Sequence, residues 1–285
     1  MDLKAFVEVT KPKQTLLLMI TCIMSFLVAS GFSFHPVELI KVFLAVSLAV
    51  AGTTALNMVL DRDIDILMPR TMKRPVPSGR LPETVCAIYG TLLFLIGIAI
   101  SYTINIYVSI VIFLGLFFDI VIYTIMLKRK SPYSIVLGGL AGAMPSFAGW
   151  TAAKGYFDVA GMLISMIILL WIPAHIWYLS MHYEEDYRRA NIPMLPLIAG
   201  MERASWIIVF SVALMLFMVT LLFLVLPFGP AYFITSVIIT TYFLYRAIVF
   251  AKAPSRIGAK SMYKLASKTL GVIYLAMVIG SLHSF

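Results

Sequence analysis

Nine apolar stretches separated by short polar segments dominate this sequence. Each is close to the roughly 20 residues that an α-helix needs to cross the hydrocarbon core of a bilayer. The stretches cover 14–34, 38–60, 84–104, 106–127, 134–152, 159–181, 205–226, 231–251 and 265–284. A continuous helix satisfies its own backbone hydrogen bonds, as a membrane span must. The pattern therefore predicts an all-α integral membrane protein with about nine transmembrane helices in one bundle.

The composition agrees with a membrane protein. Hydrophobic residues make up 61% of the chain and charged residues only 12%, whereas a soluble domain is about half apolar and about a quarter charged. Nine spans leave little room in 285 residues for a separate soluble domain, so we expect residues 1–285 to form a single polytopic membrane domain. The net charge of +9 is spread over short connections, which favours the lipid bilayer as partner and predicts no nucleic acid.

The basic residues also predict the topology. All but two of the 22 Lys and Arg residues fall on one side of the predicted bundle, and the other side has only Lys41 and Lys154. Because cytoplasmic loops carry the excess of Lys and Arg, we expect the N-terminus in the cytoplasm and the C-terminus outside. The three long connections, 61–83, 182–204 and 252–264, lie on the same side. Any active site should therefore face the cytoplasm from the cell membrane.

A first acidic cluster stands at the end of the second span. Asn57, Asp61 and Asp65 are four residues apart, so they share one face if the helix continues through them, and Asp63 points elsewhere. A carboxylate at membrane depth costs about 3 kcal/mol and requires a partner. Carboxylate and amide oxygens are suitable ligands for Mg²⁺, and water and substrate phosphates commonly complete its coordination shell. The alternative is a charged loop that pairs with itself in water.

Basic residues surround this cluster. The same connection contains Arg62, Arg70, Lys73 and Arg74. Acids that bind a metal and bases that bind phosphate oxygens can together hold a magnesium diphosphate. Lys128 and Arg129 follow the fourth span, five and six residues after Tyr123. They are either topology signals or further diphosphate ligands.

A second polar cluster ends the sixth span. This span contains Trp171, His175 and Trp177, and Glu185 and Asp186 follow on the same side of the membrane. A histidine inside a span is tolerated where it lines a cavity or bonds a neighbouring helix, and both interpretations of His175 stay open. Two acidic sites that face each other could bind two magnesium ions around one diphosphate.

Four segments, in this order, resemble the UbiA-type intramembrane prenyltransferases, and in particular their haem O synthase (protohaem IX farnesyltransferase) branch. The first is Asn57-x3-Asp61-Arg-Asp-Ile-Asp65-x2-Met68-x-Arg70-Thr71-x2-Arg74-Pro75, and the second is Tyr123-Thr-x3-Lys128-Arg129-x-Ser-Pro132. The third is Gly138-Gly-x-Ala-Gly-Ala-x-Pro145 with Gly149-Trp150. The fourth is Trp171-x-Pro-x-His175-x-Trp177, continued by Asp186-Tyr-x2-Ala190-Asn-Ile-Pro-Met-Leu-Pro196.

The resemblance implies transfer of a farnesyl group from farnesyl diphosphate to a vinyl group of haem b, with addition of water, giving haem O and diphosphate. It implies Mg²⁺ on Asp61, Asp65, Glu185 and Asp186, and catalytic roles for Asn57, Asp61, Asp65, Tyr123 and His175. Substrate binding falls to Arg62, Arg70, Lys73, Arg74, Lys128, Arg129, Trp171 and Trp177. The chain departs from the wider family in its second acidic motif, because position 182 is His and position 189 is Arg.

Three other functions compete with this interpretation. A UbiA-type enzyme could prenylate a quinone precursor or a lipid alcohol instead, but the last two segments favour haem. A membrane transporter would place its polar groups near mid-membrane, whereas these cluster on one side. A non-catalytic assembly factor would not need intact acidic motifs. The length of the prenyl chain stays open, as does partnership with a haem A synthase or a terminal oxidase.

Overall fold

The structure is a computed structural model that describes residues 2–282, and these residues contain helices and connections but no strand. Nine helices within this range are long and apolar enough to cross a membrane, which confirms the predicted fold class. We number them α1 Pro12–Ser30, α2 Pro36–Leu60, α3 Glu83–Tyr102, α4 Ile106–Leu127, α5 Ser134–Lys154, α6 Val159–His182, α7 Met201–Val225, α8 Pro230–Lys252 and α9 Arg256–Leu282. The short helices are Leu3–Val9, Arg62–Leu67, Glu184–Arg189 and Leu195–Ala199.

Local signals set most helix ends close to the predicted positions. Helix α1 ends at Ser30, four residues before the end of its apolar stretch, because Gly31 adopts the left-handed conformation with φ 57° that terminates many helices. The tight α3–α4 connection is possible because the Asn105 side chain accepts a hydrogen bond from the backbone N–H of Val108 at 2.9 Å and thereby caps α4.

The start of α9 corrects the sequence analysis. We expected a connection over 252–264, but the helix already begins at Arg256. Its first turns bury Ala259 and Met262 and expose Lys260 and Lys264. This is an amphipathic pattern with helical spacing. It is not continuously apolar, so the hydropathy of the sequence does not reveal this part of the helix. Helix α9 therefore extends beyond the apolar stretch on the basic side of the bundle.

Small residues bring α1 and α5 into direct contact in the half of the bundle away from Asp61. A Cβ atom on Gly149 would lie 2.0 Å from the carbonyl oxygen of Cys22, so only glycine permits this approach. The hydroxyl groups of Ser25 and Ser146 are hydrogen-bonded across the same contact at 2.7 Å. Close approach at small residues is typical of membrane helices.

Towards the other end of the bundle the helices surround a cavity of about 730 Å³. Its walls come from α1, α2, α4, α5, α6 and α9, from the connection after α2, and from Lys11, Lys128 and Tyr187 in other connections. The remaining spans, α3, α7 and α8, pack outside this ring and contribute no lining residue. Apolar residues such as Val46, Ile112 and Ile168 line its deep part, whereas charged residues line the end next to Asp61 and Lys128. We call that end the polar end.

Candidate active site

The acidic residues after α2 line the polar end of the cavity. Helix α2 stops at Leu60, and the short helix Arg62–Leu67 follows. Hydrogen bonds of helical spacing nevertheless continue across the break, from the N–H of Asp61 to the Asn57 carbonyl at 2.9 Å and from the N–H of Asp65 to the Asp61 carbonyl at 2.8 Å. The three side chains therefore share one face, and all three residues are buried.

Two bases hold the two acids in place. Lys128 Nζ lies 2.5 Å from Asp61 Oδ2, and Arg74 Nη1 lies 2.6 Å from Asp65 Oδ2. The other Asp61 oxygen, Oδ1, is buried and has no hydrogen-bond partner within the described residues. A buried acceptor without a partner is costly, so this oxygen is available for a cation or a donor from a substrate.

A hydrogen bond also fixes the orientation of the Asn57 side-chain amide. Its Nδ2 donates to Thr124 Oγ1 of α4 at 2.7 Å, and Thr124 in turn donates to the Asp119 carbonyl at 2.7 Å. Because the nitrogen is used in this way, the Asn57 carbonyl oxygen is left as an acceptor. Helices α2 and α4 are thus tied together beside the acids.

Magnesium fits this set of donors. The described part of the chain has no group of three or more His, Cys, Asp and Glu side chains placed to hold a metal ion. Mg²⁺ does not require one, since it is usually bound by one or two carboxylates while water and substrate phosphates complete the octahedron. Asp61 with its free oxygen, Asp65 and Asn57 offer that kind of partial site.

Basic residues complete the polar end. Arg70, Arg74 and Lys128 line the cavity as the sequence analysis expected, and Lys11 joins them. Lys11 precedes α1 in a left-handed backbone conformation with φ 44°. Burial, with a contribution from the Arg74 charge, lowers the pKa of Lys11 to about 8. Lys11 was not among the predicted site residues, although it stands just before the first apolar stretch.

Aromatic rings line one wall. His175 stacks on Trp171 with ring centroids 4.2 Å apart and contacts Tyr263 of α9 at 4.5 Å. The Ser267 hydroxyl lies 3.3 Å from His175 Nδ1, and Trp171 Nε1 donates to the Ala266 carbonyl at 2.7 Å. These contacts fix the rings, and Tyr123 lines the cavity from α4. Tyr263 was not predicted, because α9 was expected to begin only at residue 265. Ser267 lies within the predicted span but was not assigned to the site.

Other predicted residues lie away from the cavity. They are Arg62, Lys73, Arg129, Trp177, Glu185 and Asp186, none of which lines it. Arg62 pairs with Glu83 at 2.7 Å, and Glu185 pairs with Arg256 at 3.0 Å on the surface. Trp177 is completely buried in the core.

Arg129 has a surface partner of its own. It binds Asp63 through two hydrogen bonds, of 2.6 and 2.7 Å. These bonds lower the pKa of the Asp63 carboxyl. Asp63 therefore points away from the cavity, as its position on the helix predicts.

An acidic residue absent from every motif also lines the cavity. Asp119 lies within α4, in the π-helical segment Phe117–Leu127. The sequence offered one signal for it, a single acid inside an otherwise apolar stretch.

Comparison with known proteins identifies the family. The sequence model of the UbiA prenyltransferase family matches residues 18–268. This chain belongs to the UbiA prenyltransferase family. A UbiA relative named protoheme IX farnesyltransferase, from Archaeoglobus fulgidus, is 56% identical over 281 residues, which cover 98% of both chains.

Solved structures share the UbiA fold. A structure described in terms of digeranylgeranylglyceryl phosphate synthase in membranes matches 99% of this chain and 99% of its own, with a TM-score of 0.84 at 22% identity. A UbiA homolog from Archaeoglobus fulgidus bound to GPP and Mg²⁺ matches 96% of this chain and 99% of its own, with a TM-score of 0.66 at 12% identity. At these identities the likeness concerns the fold alone.

Proposed function

We propose that this UbiA protein transfers a farnesyl group from farnesyl diphosphate to a vinyl group of haem b, with addition of water, and releases haem O and diphosphate. The observation that carries the proposal is the 56% identity, over nearly the whole of both chains, to a relative named protoheme IX farnesyltransferase. The cavity supports it, because a charged end for the diphosphate adjoins an apolar chamber and an aromatic wall.

The polar end would bind the diphosphate. Asp61 and Asp65, with Asn57, would hold Mg²⁺. Binding of GPP and Mg²⁺ by a UbiA homolog of the same fold supports the use of this metal. The bound ion would supply positive charge that stabilises the departing diphosphate. The bases Lys128 and Arg74, now paired with the two acids, would turn to phosphate oxygens, and Arg70 and Lys11 lie within the same wall.

A role of the second acidic segment in metal binding stays a prediction. Glu185 would have to leave Arg256 before it could turn inward, and Asp186 does not line the cavity. A rearrangement of the 182–204 connection on donor binding would therefore be required. We place Mg²⁺ on the first cluster and treat Asp186 as the remaining candidate for a second ion.

The wall formed by Tyr123, Trp171 and His175 would contact the farnesyl cation and the porphyrin. Aromatic faces stabilise an allylic cation through cation–π attraction, and the apolar deep part of the cavity would keep bulk water away from it. We assign this role to Tyr123 and Trp171, since Trp177 is buried away from the cavity. His175, held between two rings, would orient the porphyrin or bind its iron.

We place the polar end at the cytoplasmic face of the cell membrane. The excess of Lys and Arg at this end supports that orientation, with the N-terminus inside and the C-terminus outside. We also propose that residues 1–285 act as one domain, since the family match covers 18–268. A haem A synthase or a terminal oxidase would be the partner that receives the product.

The decisive experiment supplies purified protein with haem b, farnesyl diphosphate and Mg²⁺. We expect mass spectrometry to find the hydroxyethylfarnesyl haem, and none without the metal. Parallel reactions contain a quinone precursor or a lipid alcohol as acceptor. Prenylation of one of these, with unchanged haem, would contradict the proposal in favour of another UbiA activity.

A further inference from the structure

Asp119 lies inside a membrane-spanning helix and on the cavity wall. It is the third residue of the π-helical segment Phe117–Leu127, which also carries Tyr123 and ends next to Lys128. π-Helical turns are rare and occur frequently at functional sites. An ionisable residue within a membrane span is itself a candidate functional group, because its charge is costly there.

The side chain of Asp119 makes no hydrogen bond and no salt bridge within the described residues, although its backbone carbonyl accepts the Thr124 hydroxyl. The charges that act on it are Lys11 and Lys128, which attract it, and Asp61, which repels it. Asp119 is therefore within electrostatic reach of the groups that would hold the diphosphate, but it is bound to none of them.

Hydrogen bonds hold the backbone at Asp119, whereas its carboxylate has none to the residues 2–282 that the structure describes. The chain of hydrogen bonds from Asn57 through Thr124 to the Asp119 carbonyl has two links of 2.7 Å. It fixes this turn of α4 against α2, next to the acidic cluster. Such a placement suits a side chain that contacts a substrate or a substrate water.

The other candidate proton acceptors of the cavity have partners or other roles. Asp61 and Asp65 each pair with a base through one carboxylate oxygen and are the proposed metal ligands, a role that would also use the free Oδ1 of Asp61. The His175 ring is stacked between Trp171 and Tyr263, with Nδ1 next to the Ser267 hydroxyl. Among the described residues that line the cavity, Asp119 is the carboxylate that has neither a salt bridge nor a proposed metal ion.

We propose that Asp119 accepts the proton of the water molecule that is added in the transfer reaction, an inference that rests on the proposed function. The bond between C1 of the farnesyl group and the diphosphate oxygen breaks, and the diphosphate leaves with the electron pair. C1 bonds to the terminal vinyl carbon, which leaves positive charge on the inner vinyl carbon.

The oxygen of the water molecule then bonds to that inner carbon, and one of its protons passes to the Asp119 carboxylate. The product carries the hydroxyl group, and the proton leaves Asp119 to the released diphosphate or to bulk water. A carboxylate at this place also attracts the positive charge of the intermediate. The competing role is structural, with Asp119 as a counter-charge for Lys11.

Two variants, Asp119→Asn and Asp119→Glu, separate these roles. For each, mass spectrometry measures both the hydrated product and farnesylated haem that lacks the water, and the thermal shift with farnesyl diphosphate and Mg²⁺ measures donor binding. In Asp119→Asn we expect hydrated product to form about 10²-fold more slowly, the range of a lost general base. We also expect a larger share of unhydrated product and unchanged donor binding.

Asp119→Glu keeps the carboxylate and should restore a part of the hydrated share. Asp63→Asn is the matched control, because the same change is made at an exposed carboxylate outside the cavity, and it should alter neither readout. An unchanged hydrated share in Asp119→Asn, or loss of donor binding, would overturn the proposal. Failure of both Asp119 variants to fold while the control folds would show a structural counter-charge instead.

The wild-type protein tests the underlying function separately. If it forms no farnesylated haem but prenylates another acceptor, the proposed function fails in the wild-type reaction, before any variant is compared, and the role of Asp119 in hydration fails with it.

Discussion

At the scale of single residues, Asp61 is a charged residue that is buried and has one carboxylate oxygen without a hydrogen-bond partner among the described residues. Lys128 binds the other oxygen. We expect Asp61→Asn to lower farnesyl transfer about 10²-fold at saturating Mg²⁺, because the lost charge is worth most in a buried site. The initial rate with haem b measures this effect.

The control for Asp61 is its neighbour Asp63, whose carboxylate faces the surface and binds Arg129. Asp63→Asn makes the same chemical change without touching the cavity, so its rate should stay near that of the wild type. Near-normal turnover of Asp61→Asn at saturating Mg²⁺ would show that the metal assignment is wrong.

Lys11 provides a prediction of pH dependence. Its pKa is lowered to about 8, chiefly by burial, so the side chain loses its positive charge as the pH rises through about 8. Affinity for farnesyl diphosphate should therefore fall as the pH rises through about 8. Binding titrations at fixed Mg²⁺ measure it. In Lys11→Arg the guanidinium stays charged, and the fall should become shallower; an identical pH profile would exclude Lys11 from the diphosphate site.

At the scale of helices, the contact between α1, α5 and α9 closes the deep part of the cavity. The Tyr274 hydroxyl of α9 is hydrogen-bonded to Ser146 of α5 at 2.7 Å, and Ser146 to Ser25 of α1 at 2.7 Å. Tyr274 is the last residue along α9 that lines the cavity, and α9 begins on the basic side of the bundle. With the diphosphate at the polar end, as proposed, the end of the prenyl chain would reach this ring.

We expect Tyr274→Ala to shift donor preference towards geranylgeranyl diphosphate, which is one isoprene unit longer. The ratio of turnover with the two donors should rise about tenfold, the usual scale for extra room in an apolar pocket. Tyr274→Phe keeps the ring and loses the hydrogen bond, so it should lower stability by about 1 kcal/mol without changing the ratio. An equal change of the ratio in both variants would argue against a steric limit.

At the scale of the whole molecule, the charge asymmetry predicts an orientation that labelling can test. Lys130 and Lys154 are exposed and stand at opposite ends of α5. A membrane-impermeant thiol reagent added outside cells should label Lys154→Cys and not Lys130→Cys. The native Cys22 and Cys86 are buried and should give little background. The reverse pattern would place the polar end outside and contradict the proposed cytoplasmic site.

The four motif segments and their order were enough for the family, and hydropathy along the sequence was enough for the number of spans and the single bundle. These are local properties, because a span needs only about 20 apolar residues. The Asn57, Asp61 and Asp65 face also followed from helical spacing, since hydrogen bonds of that spacing persist across the break at Asp61. The early start of α9 did not follow, because its first turns are amphipathic and not continuously apolar.

Only the tertiary structure decided which charged residues share the cavity. Arg129 is the neighbour of Lys128 in the sequence, and Glu185 was predicted to bind a metal, yet each pairs at the surface. Lys11, which precedes α1, and Asp119 of α4 are distant in sequence from the first acidic cluster, yet both line the cavity. The physical reason is that ion pairing and cavity lining depend on which helix faces meet, and residue order along the chain does not specify this.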